Sequence, residues 1–238
     1  MAGERVYTIC EAGSAWRFGP VAQHLSNARR MIELAYEAGG SAVKFQYCSN
    51  PERIAERRGE KASAFEVLRY PVEWLDELSL YCFRKLDFMC TAFIPEDIET
   101  VSKYTQHFKI AARESHDREF VEAHQKYDRL MVISWGAGTT PIHYVGARNL
   151  HCIGKYPAPL EQLNLSRIRE SNPRLDGFSN HCPDPRVGGF AVAAGAKWIE
   201  THFRLDETPT DNDDFPHSLN PAQLVEFLRN VRDAEAAL

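Results

Sequence analysis

Residues 198–207 of this 238-residue chain, WIETHFRLDE, join a strand-like run to a polar end. The first residues are typical of a strand buried in a sheet, but the run ends in Glu200, Thr201 and His202. In parallel α/β barrels the strands are apolar within the wall, and the chemistry lies beyond their carboxyl ends. We therefore interpret this stretch as a barrel strand whose end reaches an active site.

Strand-like runs alternate with helical patterns along the rest of the chain. The predicted strands are residues 6–13, 41–48, 86–93, 107–112, 129–138, 149–154, 177–181 and 197–203. The predicted helices are residues 24–39, 71–86, 94–104, 115–127, 159–171, 187–196 and 220–238. This alternation requires a parallel sheet, and eight such units predict an α/β fold of the (β/α)8 TIM-barrel type. The alternative, an open doubly wound sheet, is disfavoured because no Gly-x-Gly-x-x-Gly follows the first strand.

Two segments depart from the regular alternation. Residues 49–63, SNPERIAERRGEKAS, are polar and highly charged, which predicts a mobile surface loop or lid. Only residues 139–148 separate the fifth strand from the sixth, which is too short for a covering helix and predicts a shortened fifth β/α unit. Because the sequence contains neither a linker nor a repeat, we expect residues 1–238 to form a single domain.

Composition narrows the class of protein. The net charge of −5 and the pI near 6.0 disfavour a general nucleic-acid binder. No run approaches the roughly 18 apolar residues of a membrane span, and the amino terminus lacks the pattern of a secretory leader. Six scattered cysteines without a Cys-x-x-Cys pair predict reduced thiols. We therefore expect a cytoplasmic protein that binds neither nucleic acid nor a membrane.

Polar side chains end nearly all of the predicted strands. They are Glu11, Lys44, Gln46, Thr91, Lys109, Glu114, Ser134, Lys155, Tyr156, Ser179, His181, Glu200 and His202. Because the strands of a barrel end at one mouth, these groups are expected to meet there. Such a set can bind an anion, donate a proton or hold a metal ion.

Six motifs in this part of the chain resemble the barrel domain of the N-acetylneuraminate (sialic acid) synthase family. In order, they are VKFQ, KIAARE, HCIGKYP, FSNHCPD, GAKWIETHF and DDFPHSLNP. The resemblance implies a metal-dependent condensation of phosphoenolpyruvate with an aldehyde sugar, using Mn²⁺ or Mg²⁺. It also implies a homodimer.

The resemblance also implies roles for individual residues. The family's metal histidines fall on His181 and His202, which would leave open positions on the ion for water and substrate. The assignment gives catalysis to Glu11, Lys44, Lys109 and Glu114, and substrate binding to Gln46, Thr91, Ser134, Lys155, Tyr156, Ser179 and Asp214. Among these, Lys109, Ser134 and Ser179 correspond to the family's phosphate site. Glu200 stays open between a catalytic role and a buried charge partner of a lysine.

The chain departs from the family pattern mainly at the acceptor end. Ala15 and Trp16 stand where the family has an Asn-His pair, Ala112 replaces a serine, and Lys155 replaces an asparagine. We therefore expect an acceptor other than N-acetylmannosamine.

The resemblance covers only the barrel domain. Family synthases also carry a small C-terminal antifreeze-like domain, which brings an arginine to the partner's active site, and these 238 residues lack its counterpart. We expect Arg17, Arg113 or another chain to supply that group.

Two other functions are compatible with the same residues. A pyruvate-type aldolase or lyase would need a Schiff-base lysine, for which Lys44 and Lys109 are the candidates. A catalytically reduced barrel acting as a subunit or ligand sensor is the alternative outside enzymes, and Ala112 motivates it.

Overall fold

The computed structural model describes residues 5–136 and 138–238, and its centre is a closed barrel of parallel strands. Each strand is hydrogen-bonded to the next in chain order, and β8 closes the ring against β1. The strands are β1 Tyr7–Gly13, β2 Ala42–Tyr47, β3 Asp87–Ala92, β4 Phe108–Ile110, β5 Met131–Gly136, β6 Ala147–Cys152, β7 Gly177–Asn180 and β8 Trp198–His202. The predicted TIM barrel is confirmed. Residue 137, near the end of the predicted fifth strand, and residues 1–4 lie outside the described residues.

Helices cover the outside of this barrel. In the described residues they are α1 Val21–Glu37, α2 Pro51–Arg58, α3 Glu73–Cys82, α4 Pro95–Ser102, α5 Arg118–His124, α6 Arg167–Glu170, α7 Val187–Ala193 and α8 Pro221–Ala236. Their apolar faces pack against the strands and form the main core, in which Met31 and Ile32 of α1 and Phe227 of α8 are fully buried. No helix of the described chain is both long and apolar enough to span a membrane. All six cysteines are free and buried.

An apolar plug fills the lower interior of the barrel. It consists of Ile9, Ala42, Met89, Val132 and Leu150, all fully buried. Because side chains alternate along a strand, the residue two positions later faces the same interior, one layer closer to the carboxyl ends. Those next residues are Glu11, Lys44, Thr91, Ser134 and Cys152. The alternation of side chains along the strands thus places these polar groups directly above the apolar plug.

The connections confirm one expectation and correct two. The described part of the β5–β6 connection contains no helix, so the shortened fifth unit is confirmed. The helix predicted for residues 159–171 was wrong in extent. Only a 3-10 turn at Leu160–Gln162 and the short α6 are helical, because Asn164 between them adopts a left-handed backbone conformation, φ 47°.

The loop predicted for residues 49–63 was wrong at α2, which occupies half of that segment. Asn50 caps the helix by accepting a hydrogen bond from the Arg53 N–H at 3.2 Å, and Gly59 ends it with φ 66°. Ile54 of α2 packs with Phe65, Leu68, Phe93 and neighbouring residues in a second, smaller core. Although the segment is highly charged, one face of α2 is apolar and packs in this smaller core.

Candidate active site at the barrel mouth

A cavity of about 610 Å³ opens at the carboxyl ends of the strands. It brings together ten of the predicted site residues, which are Lys44, Gln46, Thr91, Lys109, Ser134, Tyr156, Ser179, His181, His202 and Asp214. Glu200 also lines this cavity. The prediction that the strand ends converge on one mouth therefore holds for most of its residues.

Three buried charges form the floor of this cavity, and a fourth, Glu11, pairs with one of them from outside the lining. The Glu200 carboxylate lies between two ammonium groups, 3.4 Å from Lys44 Nζ and 3.3 Å from Lys109 Nζ, and Lys44 also pairs with Glu11. None of the four residues is more than 4% exposed. Glu200 is thus the buried partner of both lysines, and the network carries no net charge.

The surrounding charges keep Glu200 and Lys44 ionised. Burial alone would raise the pKa of Glu200, but the attraction of Lys109 and Lys44 outweighs it and holds the pKa far below its ordinary value. Burial alone would lower the pKa of Lys44, but Glu11 and Glu200 reverse that effect and raise it. Both groups therefore keep their charge at neutral pH.

Hydroxyl groups from neighbouring strands surround the same charges. Lys44 Nζ donates to Thr91 Oγ1 at 3.1 Å and Lys109 Nζ donates to Ser134 Oγ at 2.9 Å, while Ser179 Oγ donates to Glu200 at 2.7 Å. Fixed cations beside reorientable hydroxyls are the groups that bind a phosphate or a carboxylate.

Three predicted site residues lie outside the cavity lining within the described chain. Glu11 is committed to its neighbours, since Oε1 accepts from Gly13 N–H and Gln46 Nε2, both at 2.9 Å, and Oε2 pairs with Lys44. Glu114 accepts two hydrogen bonds from Arg58 beside a smaller cavity of about 300 Å³. Lys155 is exposed and donates to Gln162 at 2.6 Å.

The two histidines predicted to hold a metal ion face each other at the mouth. The ring centroids of His181 and His202 are 5.5 Å apart, and both residues are buried. His181 Nδ1 lies 2.7 Å from the Ile153 carbonyl oxygen. Because a carbonyl only accepts, Nδ1 carries the proton and Nε2 keeps the lone pair needed by a metal. Burial and the neighbouring His202 lower the pKa of His181 to about 3, so the ring is neutral, which is the ligating form.

A third histidine, His217, was missed by the sequence analysis. It lies on the 3-10 turn Phe215–His217, and its Nε2 is 3.0 Å from Asp214 Oδ1. The same oxygen is 3.5 Å from His202 Nδ1. The side chains of His202, Asp214 and His217 each offer a ligand atom within 4.8 Å of the others. The three-residue spacing of Asp214 and His217 in DDFPHSLNP is the signal that could have revealed the pair.

Asp214 is held in place by the loop after β1. Ser14 donates to Asp214 Oδ2 from its backbone N–H and from its hydroxyl, the latter at 2.7 Å. Gly13 precedes it with φ 48°, and a Cβ there would overlap the Asp214 carboxylate. The glycine thus lets the loop approach closely enough to fix the acid.

The acceptor end of the cavity differs from what the resemblance implied. Trp16 is buried, and the Arg17 guanidinium lies 5.1 Å from its ring and 5.6 Å from that of Tyr70. Within the described residues, Arg17 is absent from the cavity lining, whereas Arg113 and Arg58 are part of it. Of the two arginines expected to meet the acceptor, Arg113 lines the cavity and Arg17 does not, and Arg58 lines it as well.

Several known proteins are similar to this chain in sequence. The family model described as NeuB matches residues 31–238. The spore coat polysaccharide biosynthesis protein SpsE of Bacillus subtilis is 32% identical, with the match covering 90% of this chain and 65% of SpsE. Pseudaminic acid synthase of Campylobacter jejuni is 27% identical over 90% of this chain and 71% of its own length. The N-acetylneuraminate-9-phosphate synthase of Homo sapiens is 27% identical over 90% and 67%.

Solved structures give the same result for the fold. The crystal structure of SpsE from Bacillus subtilis superposes with a TM-score of 0.80 at 29% identity and covers 98% of this chain and 68% of that one. An N-acetylneuraminic acid synthetase from Leptospira borgpetersenii reaches 0.85 at 23% identity, over 98% and 85%, and shows the shared fold. The chain spans about two thirds of the length of the curated relatives that it matches. With most of its residues matched by the family model, the chain belongs to the NeuB family.

Proposed function

We propose that this chain condenses phosphoenolpyruvate with the aldehyde group of a sugar or sugar-like acceptor, forming a 2-keto acid and inorganic phosphate. The observation that carries the proposal is the cavity itself. Two buried lysines and their hydroxyl partners share it with two imidazoles, of which His181 is neutral. The names of the related synthases support the same reaction class.

The cavity floor provides the anion-binding half of this reaction. Lys109 and Ser134 lie together on neighbouring strands. Ser179 contacts the same Glu200 oxygen as Lys109, and Lys44 contacts the other oxygen. A phosphate placed above Glu200 would meet two fixed ammonium groups and two hydroxyls that rotate towards it. The carboxylates of Glu11 and Glu200 balance the two ammonium groups, so these donors are held in position without a large net charge.

The proposed chemistry proceeds in balanced steps. The C3 carbon of phosphoenolpyruvate attacks the aldehyde carbon, and the aldehyde oxygen takes a proton and becomes a hydroxyl. Water then adds to the cationic C2, loses a proton, and the phosphate leaves with its bridging oxygen as C2 becomes a carbonyl. Lys109, Ser134 and Ser179 would hold the phosphate throughout, and that electrostatic contribution should be the largest.

A divalent ion fits the imidazole half of the cavity. His181 offers a neutral ring with a free Nε2 lone pair, and His202 stands beside it with its Nδ1 3.5 Å from Asp214 Oδ1. When bound there, Mn²⁺ or Mg²⁺ would act as a Lewis acid on the acceptor aldehyde. The protein side chains would orient the acceptor against the Tyr156 ring, which stacks on His181 at 4.0 Å.

The aldolase or lyase alternative finds less support. A Schiff-base lysine must lose its proton to act as a nucleophile, which a lowered pKa favours. Glu11 and Glu200 instead raise the pKa of Lys44, and Lys109 is tied to Glu200 and Ser134. Neither lysine is arranged as an amine nucleophile.

The acceptor is proposed to differ from N-acetylmannosamine because Ala15 and Trp16 form part of the core. Arg58 enters the acceptor end instead, with its guanidinium 5.3 Å from Phe65 and 5.0 Å from Phe93. A single domain over residues 1–238, a homodimer and a cytoplasmic location stay predictions.

The test is release of inorganic phosphate from phosphoenolpyruvate with Mn²⁺ across a panel of aldoses and N-acylated hexosamines. We expect phosphate release that requires an acceptor, and a loss of about 10²–10³-fold in kcat for Lys109→Met. Lys103→Met is the matched control, because this lysine is 62% exposed on its side chain and pairs only weakly with Glu99 at 3.8 Å. Phosphoenolpyruvate binding with no phosphate release from any acceptor would reject the proposal in favour of a ligand sensor.

A further inference from the structure

We propose that His217 is a third imidazole ligand of the divalent ion, completing a centre of His181, His202, His217 and Asp214. This inference rests on the proposed function for the presence of an ion at the mouth. It goes further because the family resemblance assigns only two histidines.

The distances between donor atoms match those around a single ion. Asp214 Oδ1 lies 3.0 Å from His217 Nε2 and 3.5 Å from His202 Nδ1. Two ligand atoms bound at about 2.1 Å, with an angle between the octahedral and tetrahedral values, are roughly 3.0–3.4 Å apart. The two distances to Asp214 Oδ1 are therefore close to ligand spacing, and the His202 and His217 ligand atoms lie within 4.8 Å of each other.

The ring positions agree with the same arrangement. The centroids of His202 and His217 are 4.6 Å apart, those of His181 and His202 are 5.5 Å apart, and those of His181 and His217 are 6.3 Å apart. Two imidazoles bound tetrahedrally to one ion hold their centroids roughly 5 Å apart. The widest pair needs a shift of about an ångström, or a wider angle at the ion, while the two others fit directly.

The burial of these groups indicates a missing polar partner. His202 is 7% and His217 is 4% exposed, and His202 Nδ1, one of the proposed ligand atoms, lacks a hydrogen-bond partner among the described residues. Buried polar atoms are rarely left without one, because their desolvation is then uncompensated. Asp214 turns only Oδ1 towards the two rings, since Ser14 holds Oδ2. A cation beside Oδ1 would give the buried His202 Nδ1 a polar partner.

The ligand set identifies the class of metal. Three nitrogens and one carboxylate oxygen suit a transition metal such as Mn²⁺, Fe²⁺, Co²⁺ or Zn²⁺. Mg²⁺ prefers an all-oxygen shell and keeps most of its waters. Of the two ions expected from the family resemblance, this ligand set favours Mn²⁺ over Mg²⁺.

The competing arrangement keeps His217 outside the ligands. Asp214 would then only orient His202, and His217 would hold Asp214 by a hydrogen bond. Since such outer partners also change metal affinity by about 10–100-fold, affinity alone does not separate the two arrangements. The experiment must count the imidazoles bound to the ion.

We would load the full chain, labelled with ¹⁵N-histidine, with one equivalent of Co²⁺ and record paramagnetically shifted imidazole signals. We expect three bound rings in the wild type and in His143→Ala, an exposed histidine that serves as control. Two rings are expected in both His217→Ala and His217→Gln, with circular dichroism confirming that the variants fold. Millimolar Mg²⁺ should leave the Co²⁺ signals unchanged.

Two bound rings in the wild type, or three in the folded His217 variants, would overturn the inference, as would displacement of Co²⁺ by Mg²⁺. The spectra need no substrate, so they are independent of phosphate release. Three bound rings without phosphate release would reject the proposed function alone. Phosphate release with only two bound rings would reject this inference alone.

Discussion

The charge network on the cavity floor makes Glu200→Gln the most informative substitution. Glutamine keeps the size of the side chain but removes the charge that Lys44 and Lys109 share at 3.4 and 3.3 Å. The network then changes from neutral to a net charge of +1 in a site that is almost fully buried. Removing one partner of a buried pair destabilises a protein by about 3–5 kcal/mol. For a chain of this size, that corresponds to a fall in Tm of roughly 6–20 °C.

The same substitution predicts a change in anion dependence. A phosphate bound above the floor would restore the missing negative charge, so inorganic phosphate should stabilise Glu200→Gln more than the wild type. Urea unfolding with and without phosphate measures both effects. Glu207→Gln is the control, because its pair with Arg30 at 2.7 Å is about half exposed and is worth at most about 1 kcal/mol. The reasoning fails if Glu200→Gln is as stable as the wild type, or if phosphate stabilises both proteins equally.

Two further predictions concern the loop at Gly13 that holds Asp214 and the dependence of stability on pH. Gly13→Ala should lower the free energy of unfolding by about 1–3 kcal/mol and weaken Co²⁺ binding, because the backbone conformation with φ 48° and the nearby Asp214 carboxylate both disfavour a Cβ. A Tm and a Co²⁺ affinity equal to those of the wild type would contradict this prediction. Burial lowers the pKa of His124 to about 4. The unfolded chain therefore takes up its proton first, and stability is complete above pH 6.5 and is lost as pH falls towards 4. In His124→Leu the free energy of unfolding should fall by up to about 3 kcal/mol less between pH 6.5 and pH 4 than in the wild type. Urea unfolding at several pH values measures this difference. The assignment would be refuted if the free energy of unfolding depended on pH equally in both proteins.

The barrel and its polar mouth could be predicted because both follow from local periodicity. A two-residue alternation fixes which side of a strand faces inward, so Ile9 in the plug determines that Glu11 faces the mouth. The pairing of His181 and His202 was predicted from the family resemblance and from their positions at strand ends. These features need no knowledge of which strand neighbours which.

The features that escaped prediction depend on contacts between distant segments. Helix α2 is stabilised by Ile54 against Phe93, which belongs to the turn after another strand. The role of Glu200 became defined only when β8 brought it between lysines of β2 and β4. His217 reaches the mouth because Ser14, 200 residues before Asp214, fixes the loop on which it lies. The periodicity of a sequence does not reveal contacts between segments that are far apart in the chain.

The most direct test of the central claim follows the bridging oxygen of phosphoenolpyruvate. The substrate would be labelled with ¹⁸O between C2 and phosphorus, incubated with Mn²⁺ and a productive acceptor, and both products would be analysed by mass spectrometry. Because water adds to C2 before phosphate leaves, the label should appear in inorganic phosphate in step with formation of the 2-keto acid. Label retained in the keto acid would show that the P–O bond breaks instead, and would contradict the proposed condensation.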